Sequence, residues 1–268
     1  MTTHHDPRAR APDERIFRLD GRVAVVTGGG GGIGSAICRR FASAGAAVAC
    51  LDFNPQGAQA TADEIAAQGG RAIGVACDVG SEADTEAAVA RVARELGPAT
   101  ILVNTAAYLD RSGTALEIDL QEWERVHRVN LTGAFLMSRA VLPAMAAAGG
   151  GAIVHVSSML GWVGASRRVS YTSTKGALLQ LARSMAIDHA AQGIRVNTVS
   201  PGAVETVRVA RRYDAMTEDE RAQWLARYPL GRFADADEVA TAAQFLASEA
   251  SSFMTGADLR VDGGYCAV

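Results

Sequence analysis

A tyrosine and a lysine in the segment SYTSTKGA, residues 170–177, have the types and the spacing of a proton-transfer pair. Tyr171 and Lys175 are four residues apart, so on a helix their side chains share one face. A phenol has an ordinary pKa of about 10, and a nearby ammonium favours its phenolate, which makes it a usable base nearer neutral pH. Lys175 is the only lysine among 26 lysine and arginine residues, so a compact ammonium, and not charge alone, is indicated here.

Ser158 supplies a hydroxyl group that can join this pair. It lies 13 residues before Tyr171, where the apolar run GAIVHVS (151–157) ends. Loops after the carboxyl ends of parallel strands border the ligand crevice of an open α/β sheet, so we expect the three side chains to meet there. In alcohol oxidation the phenolate would remove the hydroxyl proton as hydride leaves carbon, and in ketone reduction the protonated phenol would supply that proton.

The run VTGGGGGIG, residues 26–34, directly follows an apolar stretch and opens a helical pattern. Glycines between a strand and a helix allow a tight turn and let backbone N–H groups approach a pyrophosphate at the helix N-terminus. In this context a dinucleotide site is favoured over a merely flexible loop. The cofactor-binding positions predicted in the loop are Thr27, Gly28, Gly32, Ile33 and Gly34.

The second apolar run, AAVACLD (46–52), ends in Asp52, 18 residues after Gly34. An acidic side chain there accepts hydrogen bonds from both hydroxyls of the adenine ribose and repels a 2′-phosphate. Neither Gly31, which precedes GIG, nor Phe53 supplies the cation that NADP would need. Asp52 and the adjacent Phe53 therefore predict NAD as the cofactor, with NADP disfavoured.

The third apolar run ends in the tripeptide CDV, which contains Asp78 and Val79. We expect Asp78 to hold the adenine amino group, with Val79 beside it in the cofactor site. Asp78 as a cap of the following helix is the alternative.

Short runs rich in valine and isoleucine alternate along the chain with stretches of helical spacing, such as 33–44, 82–96, 120–147 and 172–191. Runs that are apolar on both faces and separated by helices predict a parallel sheet covered on both sides. The pattern indicates a single doubly wound α/β domain over residues 19–268, with about seven parallel strands and helices on both faces. The apolar runs are 22–28, 46–52, 71–79, 100–106, 151–157, 194–200 and 257–263.

Two segments depart from this alternation. Residues 1–18 are charged and contain proline, and they are predicted to be a disordered lead-in. Residues 203–233 follow the sixth run, beside the expected crevice, and predict a substrate lid, with a surface helical excursion as the alternative. Within this insert, Arg208, Arg211 and Arg212 either receive an anionic substrate or form a solvated helix face.

Composition argues against several classes of partner. The net charge of −3 and the pI near 6.0 give no electrostatic reason to expect nucleic acid or a membrane surface. No apolar run approaches the roughly 20 residues that span a bilayer. The four cysteines have no metal-ligand spacing, so we predict no metal site and expect buried free thiols in the cytoplasm.

The sequence resembles the short-chain dehydrogenase/reductase family from Thr27 to about Gly264. The TGxxxGIG motif of that family occurs here as TGGGGGIG. Its YxxxK motif is formed by Tyr171 and Lys175, and its serine is matched by Ser158.

Further motifs follow in the order of the family. Asn130, in RVNLTGAF, matches the fourth catalytic residue. VSPGAVET (199–206) matches the cofactor-binding PGxxxT segment, and TGADLRVDGG (255–264) matches the last strand and turn. One motif departs, since residues 104–107 read NTAA where the family often has NNAG, and Ala107 adds a methyl group where the backbone passes near adenosine.

The resemblance implies a Rossmann-type domain and further roles for its motif residues. Lys175 would also hydrogen-bond the nicotinamide ribose, Ser158 would hold the substrate oxygen, and Asn130 would keep a water in a proton relay behind Lys175. The cofactor contacts implied in addition to the glycine loop and the acidic residues are Asn104, Ala106, Tyr171, Lys175, Pro201, Gly202, Val204 and Thr206.

The implied activity is NAD-dependent hydride transfer with a secondary alcohol or ketone, in a homo-oligomer, commonly a tetramer in this family. The alternatives are a 3-oxoacyl-thioester reductase using NADPH, a dehydrogenase of a sugar or sterol-like ring, and a catalytically silent NAD-binding protein. The substrate side is expected to involve Ser158, Met159, Leu160, Trp162, Arg168, Ala203 and Trp224.

Overall fold

A computed structural model describes residues 13–268, so residues 1–12 of the predicted lead-in lie outside the described residues. Within the same predicted segment, Glu14–Phe17 form a single turn of 3-10 helix, and the side chain of Asp13 accepts a hydrogen bond from the N–H of Arg15. The Phe17 ring lies 6.5 Å from that of Phe245, which ties this turn to the domain.

Seven strands form one parallel sheet. They are β1 (Val23–Thr27), β2 (Ala47–Asp52), β3 (Ala72–Ala76), β4 (Ile101–Asn104), β5 (Gly151–Val156), β6 (Ile194–Pro201) and β7 (Asp258–Val261). Their spatial order is β3-β2-β1-β4-β5-β6-β7. From β1 to β3 the strands are therefore added toward one edge of the sheet, and from β4 to β7 toward the other edge. The predicted doubly wound fold is confirmed.

Helices cover both faces of this sheet. They are α1 (Gly32–Ser43), α2 (Pro55–Ala67), α3 (Glu82–Glu95), α4 (Leu120–His127), α5 (Gly133–Ala147), α6 (Val169–His189), α7 (Val207–Asp214), α8 (Glu218–Leu225) and α9 (Ala236–Ala247). One core cluster joins the sheet to α1, α2 and α9, and a second joins it to α3, α5 and α6.

The strand β1 shows why the apolar runs are continuous. Its side chains alternate between the faces, so Ala24 and Val26 enter the first core cluster while Val23 and Val25 enter the second. All five of its residues are buried, because helices cover both faces of the sheet.

The segment Leu120–Ala147 is one continuous helical stretch of 28 residues. By length and composition alone, it is long and apolar enough to cross a membrane. Buried helices of soluble folds have the same composition. Here Met137, Val141 and Met145 are fully buried in the core beside α3 and α6.

The predicted buried thiols are confirmed for three cysteines. Cys38, Cys50 and Cys77 are free and buried, whereas Cys266 is half-buried near the C-terminus.

Candidate active site

The glycine loop lies at the carboxyl end of β1 and leads into α1. Gly28 has φ +68°, and a Cβ atom there would lie 3.0 Å from the backbone nitrogen of Ala106. A Cβ atom on Gly34 would overlap the carbonyl oxygen of Gly28. The first turn of α1 has neither a side-chain cap nor an acidic residue, so its N–H groups are suited to an anion. This cradle fits the pyrophosphate of a dinucleotide.

Asp52 lies at the carboxyl end of β2, beside the loop. One carboxylate oxygen accepts the N–H of Gly30 at 3.0 Å, and the other accepts the N–H of Asn54 at 2.8 Å. These bonds hold the carboxylate where β2 meets the glycine loop, and lone pairs remain for further donors. Phe53 is 79% exposed next to it.

Asp78 does not cap the helix that follows it, so the capping alternative is wrong. Ser81 occupies the N-cap of α3 and accepts the N–H of Asp84. Asp78 instead accepts the N–H of Gly80 at 2.9 Å and pairs with Arg128 at 3.0 Å.

Five predicted site residues meet beside the ends of β1 and β4. Thr27, Val79, Asn104, Ala106 and Asn130 line one narrow pocket at this edge. The hydroxyl of Thr27 accepts the N–H groups of Thr105 and Ala106 at 3.0 and 3.1 Å, which joins the two strand ends. The Thr27 hydroxyl therefore attaches the NTAA segment, residues 104–107, to the sheet. The methyl group of Ala107 does not prevent this attachment.

Tyr171 and Lys175 lie on the first two turns of α6. The Lys175 Nζ atom lies 5.6 Å from the centroid of the Tyr171 ring. The lysine is 2% exposed, and its Nζ donates a 2.7 Å hydrogen bond to the carbonyl of Val156 at the end of β5. The structure brings the two side chains together at the predicted edge of the sheet.

Two serines follow β5 and connect it to this helix. Ser158 is buried, and its Oγ accepts the N–H of Leu160 at 3.1 Å, so its own O–H hydrogen remains for a ligand. Ser157, which the sequence analysis did not select, donates from Oγ to the carbonyl of Lys175 at 2.8 Å. This bond fixes α6 against the strand that carries Ser158.

Asn130 is fully enclosed in a short π-helical segment, Arg128–Thr132, between α4 and α5. Its side chain accepts the N–H of Tyr108 at 2.7 Å, donates to the Tyr108 carbonyl at 3.0 Å, and donates to Thr174 Oγ1 at 3.2 Å. π-Helical turns inside α-helices often accompany functional sites. Asn130 thus links α6 to the loop that follows β4.

The electrostatic environment of the lysine is set by burial. Burial lowers the pKa of Lys175 to about 8, so its ammonium is still charged near neutral pH. Burial, with a smaller contribution from the charge of Lys175, lowers the pKa of His155 on β5 to about 4. His155 is therefore neutral at the pH where Lys175 is charged, and it adds no second positive charge beside the lysine.

The segment that leaves β6 connects the cofactor loop to the insert. Thr206 caps α7 by accepting the N–H of Val209, and a Cβ atom on Gly32 would lie 3.5 Å from its methyl group. A Cβ atom on Gly202 would lie 3.0 Å from Cα of Asp262, so this turn requires glycine. Pro201 and Val204 are buried on either side of it.

The predicted insert contains α7 and α8, and an aromatic cluster holds it against the site. Ala203, Tyr228 and Phe233 form its buried part, and Met159 packs against them directly after Ser158. The other members of this cluster are Val209, Tyr213, Trp224, Leu225 and Tyr265. Apolar side chains therefore form the wall nearest the predicted catalytic serine.

The structure assigns other contacts to two of the predicted substrate residues. Arg168 pairs with the buried carboxylate of Asp110 at 3.0 Å and is not directed at a substrate by that contact. The Trp162 indole donates to Asp258 on β7 at 2.8 Å and lies between the guanidinium groups of Arg183 and Arg260. Neither side chain belongs to the aromatic cluster.

Two arginines of the insert, Arg212 and Arg221, stack on aromatic rings. Arg212 lies 4.6 Å from the Trp224 ring, and Arg221 lies 4.9 Å from that of Tyr213. Arg211 is exposed, while the side chain of Arg208 lies outside the described residues. These contacts place Arg212 on the outer face of the aromatic cluster.

Tyr228 is a residue that the sequence analysis missed, because its contacts are distant in sequence. Its hydroxyl accepts the N–H of Ala203 at 3.2 Å and lies 3.6 Å from the sulfur of Met159. Burial raises the pKa of Tyr228 to about 12, so the hydroxyl stays protonated and can donate to the sulfur.

We expect Tyr228→Phe to lower the free energy of unfolding by about 1–3 kcal/mol, because the buried N–H of Ala203 loses its acceptor. Urea unfolding measures this change. Tyr265→Phe, at a half-buried position in the same cluster, is the control and should stay within about 0.5 kcal/mol of the wild type. Equal effects of the two variants would contradict an anchoring role for the Tyr228 hydroxyl.

Comparison with known proteins agrees with this fold. The sequence model of a family described as enoyl-(acyl carrier protein) reductase matches residues 28–266. The fold and the comparisons define a nucleotide-binding oxidoreductase of the doubly wound α/β class. The chain belongs to the short-chain dehydrogenase/reductase family.

Its relatives within the family differ in their substrates. D-threitol dehydrogenase of Mycolicibacterium smegmatis is 42% identical over 249 residues, 93% of this chain and 94% of the relative. A structure of 7α-hydroxysteroid dehydrogenase with NADH and 7-oxo glycochenodeoxycholic acid is 34% identical, with TM-score 0.90 and coverage of 95% and 98%. A gluconate 5-dehydrogenase from Burkholderia cenocepacia, in complex with NADP and tartrate, is 36% identical, with TM-score 0.89 and coverage of 95% and 98%.

Proposed function

We propose that the protein transfers a hydride between NAD(H) and a secondary alcohol or ketone. The observation that carries this proposal is the arrangement of Tyr171, Lys175 and Ser158 at the carboxyl edge of the sheet, with the buried Nζ 5.6 Å from the phenol ring. The nicotinamide ring would supply the hydride acceptor or donor when bound.

Ser158 would orient the substrate oxygen by donating its O–H hydrogen. Its Oγ already accepts the N–H of Leu160, so the oxygen is held in place while the hydrogen can still turn toward a ligand. The phenolate form of Tyr171 would then take the proton of an alcohol during oxidation, and the protonated phenol would give its proton to the oxygen of a ketone during reduction.

The Lys175 ammonium would stabilise the phenolate form of Tyr171. One of its three N–H groups donates to Val156, which leaves two for a ribose hydroxyl and for a water. We propose that Asn130 keeps that water in place behind Lys175, because its side chain braces the surrounding segment through Tyr108 and Thr174.

The preference for NAD rests on Asp52. Its carboxylate stands at the end of β2, held by the N–H groups of Gly30 and Asn54, where a 2′-phosphate would meet a negative charge. Relatives of known structure include both NADH-bound and NADP-bound enzymes, so the shared fold does not by itself decide the cofactor, and the proposal rests on Asp52.

The test is a panel of secondary alcohols and ketones, each with NAD(H) and NADP(H), followed by nicotinamide absorbance. For Asp52→Asn we expect the ratio of kcat/KM for NAD to that for NADP to fall by about 100-fold, equivalent to about 2.7 kcal/mol. This variant keeps acceptor oxygen but removes the charge. Asp63→Asn, an exposed carboxylate on α2, is the matched control and should leave the ratio unchanged.

A wild-type preference for NADP would overturn the role given to Asp52. Turnover of none of the alcohols or ketones, despite measurable NAD binding, would favour the catalytically silent alternative.

A further inference from the structure

A buried ion pair connects the loop after β4 to the segment before α6. Asp110 has no exposed side-chain surface, and its Oδ1 accepts a hydrogen bond from Arg168 at 3.0 Å. The same guanidinium nitrogen of Arg168 donates to the Asp110 carbonyl, also at 3.0 Å. Such pairs are weak evidence of stabilisation, because desolvation offsets much of the attraction between the charges. This pair is therefore of interest for the two segments that it joins and not for its contribution to stability.

The second oxygen of this carboxylate reaches the catalytic helix. Asp110 Oδ2 accepts the backbone N–H of Tyr171 at 3.1 Å. That N–H lies in the first turn of α6, where N–H groups have no partner within the helix. Arg168, at the N-cap position, provides no side-chain cap. Asp110 therefore caps α6 from another loop, with a negative charge at the positive end of the helix.

The same loop also holds the predicted relay residue. Two positions before Asp110, both backbone polar groups of Tyr108 are bound to the side chain of Asn130. Residues 108–110 thus contact the Asn130 side chain on one side and the backbone of Tyr171 on the other. Within α6 itself, Thr174 also joins them, since its Oγ1 accepts from Asn130 and donates to the Tyr171 carbonyl, so residues 108–110 supply the connection from outside the helix.

We infer that Asp110 is a positioning residue for catalysis, which sets the height and rotation of Tyr171 relative to Lys175 and the bound substrate. Arg168 pairs with this buried carboxylate and offsets its charge. The inference rests on the proposed function, because it assumes that the Tyr171 hydroxyl transfers the proton. A displacement of about 1 Å in such a group costs roughly 100-fold in rate.

Removing this carboxylate has two opposite effects on the phenol. Loss of a nearby negative charge alone would favour the phenolate and lower the pKa of Tyr171. Loss of the helix cap would let the phenol move away from Lys175 and would raise it. The charged groups near this turn include Asp110, Arg168 and the Glu117–Arg167 pair from the loops and Lys175 on the helix, whereas His155 is buried and neutral.

Two variants separate these effects. In Asp110→Asn, one of the two oxygen positions becomes an NH2 donor, so either Arg168 or the Tyr171 N–H loses its acceptor. In the double variant Asp110→Leu with Arg168→Met, no charge is left unpaired and apolar replacement of a buried pair preserves folding, but the cap is absent. The control is Glu117→Gln, because Glu117 and Arg167 pair across the same two segments at 3.0 Å while half exposed to solvent.

The experiment measures thermal unfolding, NAD affinity, kcat against pH, and the ultraviolet tyrosinate titration of each protein minus that of its Tyr171→Phe form. We expect both Asp110 variants to bind NAD within about threefold of the wild type and to lose about 10- to 100-fold in kcat. The acid limb of the oxidation profile and the tyrosinate titration should both move to higher pH. Glu117→Gln should match the wild type.

A folded double variant with wild-type kcat and an unmoved titration would overturn the inference, as would a shift of Asp110→Asn to lower pH. The titration also separates this inference from the proposed function. If the wild-type protein turns over no alcohol or ketone, the proposed function fails, yet a raised tyrosinate pKa in the double variant would still support positioning by Asp110.

Discussion

Tyr171→Phe is expected to lower kcat by roughly a thousandfold or more, with NAD affinity and the unfolding midpoint close to those of the wild type. General acid–base groups contribute about 10²- to 10⁴-fold, and the substitution removes the proposed proton carrier and leaves the ring. The ring can still pack beneath the Lys175 ammonium, which lies 5.6 Å from its centroid in the structure. The loss should therefore fall on the chemical step.

Single-turnover kinetics with a substrate from the alcohol panel measure this step separately from cofactor binding. The matched control is Ser173→Ala, which removes a hydroxyl from the exposed side of the same helix. It should retain activity within about twofold, because surface changes away from a site have small effects. A Tyr171→Phe enzyme with more than a tenth of wild-type kcat would show that another group transfers the proton.

The parts of the site that the sequence predicts are those whose chemistry is local in the chain. The spacing of Tyr171 and Lys175 determines that they share a helix face, and the glycine run between β1 and α1 determines the backbone cradle. Asp52 is found because it ends a strand beside that cradle. Their meeting at one edge follows from parallel strand ends, which the alternating pattern predicts.

The residues that the sequence did not reveal act through contacts between distant segments. Asp110 meets Arg168, a residue predicted for the substrate side, across 58 positions, and Tyr228 meets Ala203 across 25 positions. No periodicity links such pairs before the loops are placed. The sequence likewise does not predict that Arg212 stacks on Trp224. A cluster of arginines has the same sequence pattern whether it binds an anion or covers an aromatic ring.

Lys175→Arg is expected to lower kcat/KM by about a thousandfold while the protein folds. A shift of three pKa units in the phenol corresponds to about 4 kcal/mol, and this is the stabilisation that a correctly placed ammonium is proposed to help provide. The Lys175 side chain is 2% exposed and its Nζ reaches the Val156 carbonyl at 2.7 Å. A planar, forked guanidinium cannot occupy that position and also keep the same distance to the phenol and a ribose hydroxyl.

The pH dependence distinguishes geometry from charge. Burial lowers the pKa of Lys175 to about 8, so the ammonium of the wild-type protein loses its proton as the pH rises through 8, whereas arginine stays charged. If charge alone were required, Lys175→Arg would be active and would keep its activity at alkaline pH. We expect low activity at every pH, measured as kcat/KM from pH 6 to 10. The control is the reverse exchange on the same helix, Arg183→Lys. The Arg183 side chain stacks on Trp162, away from the phenol, so this variant should leave the profile unchanged. Because both exchanges preserve charge, a large loss confined to Lys175→Arg would assign the requirement to the shape and donors of the ammonium.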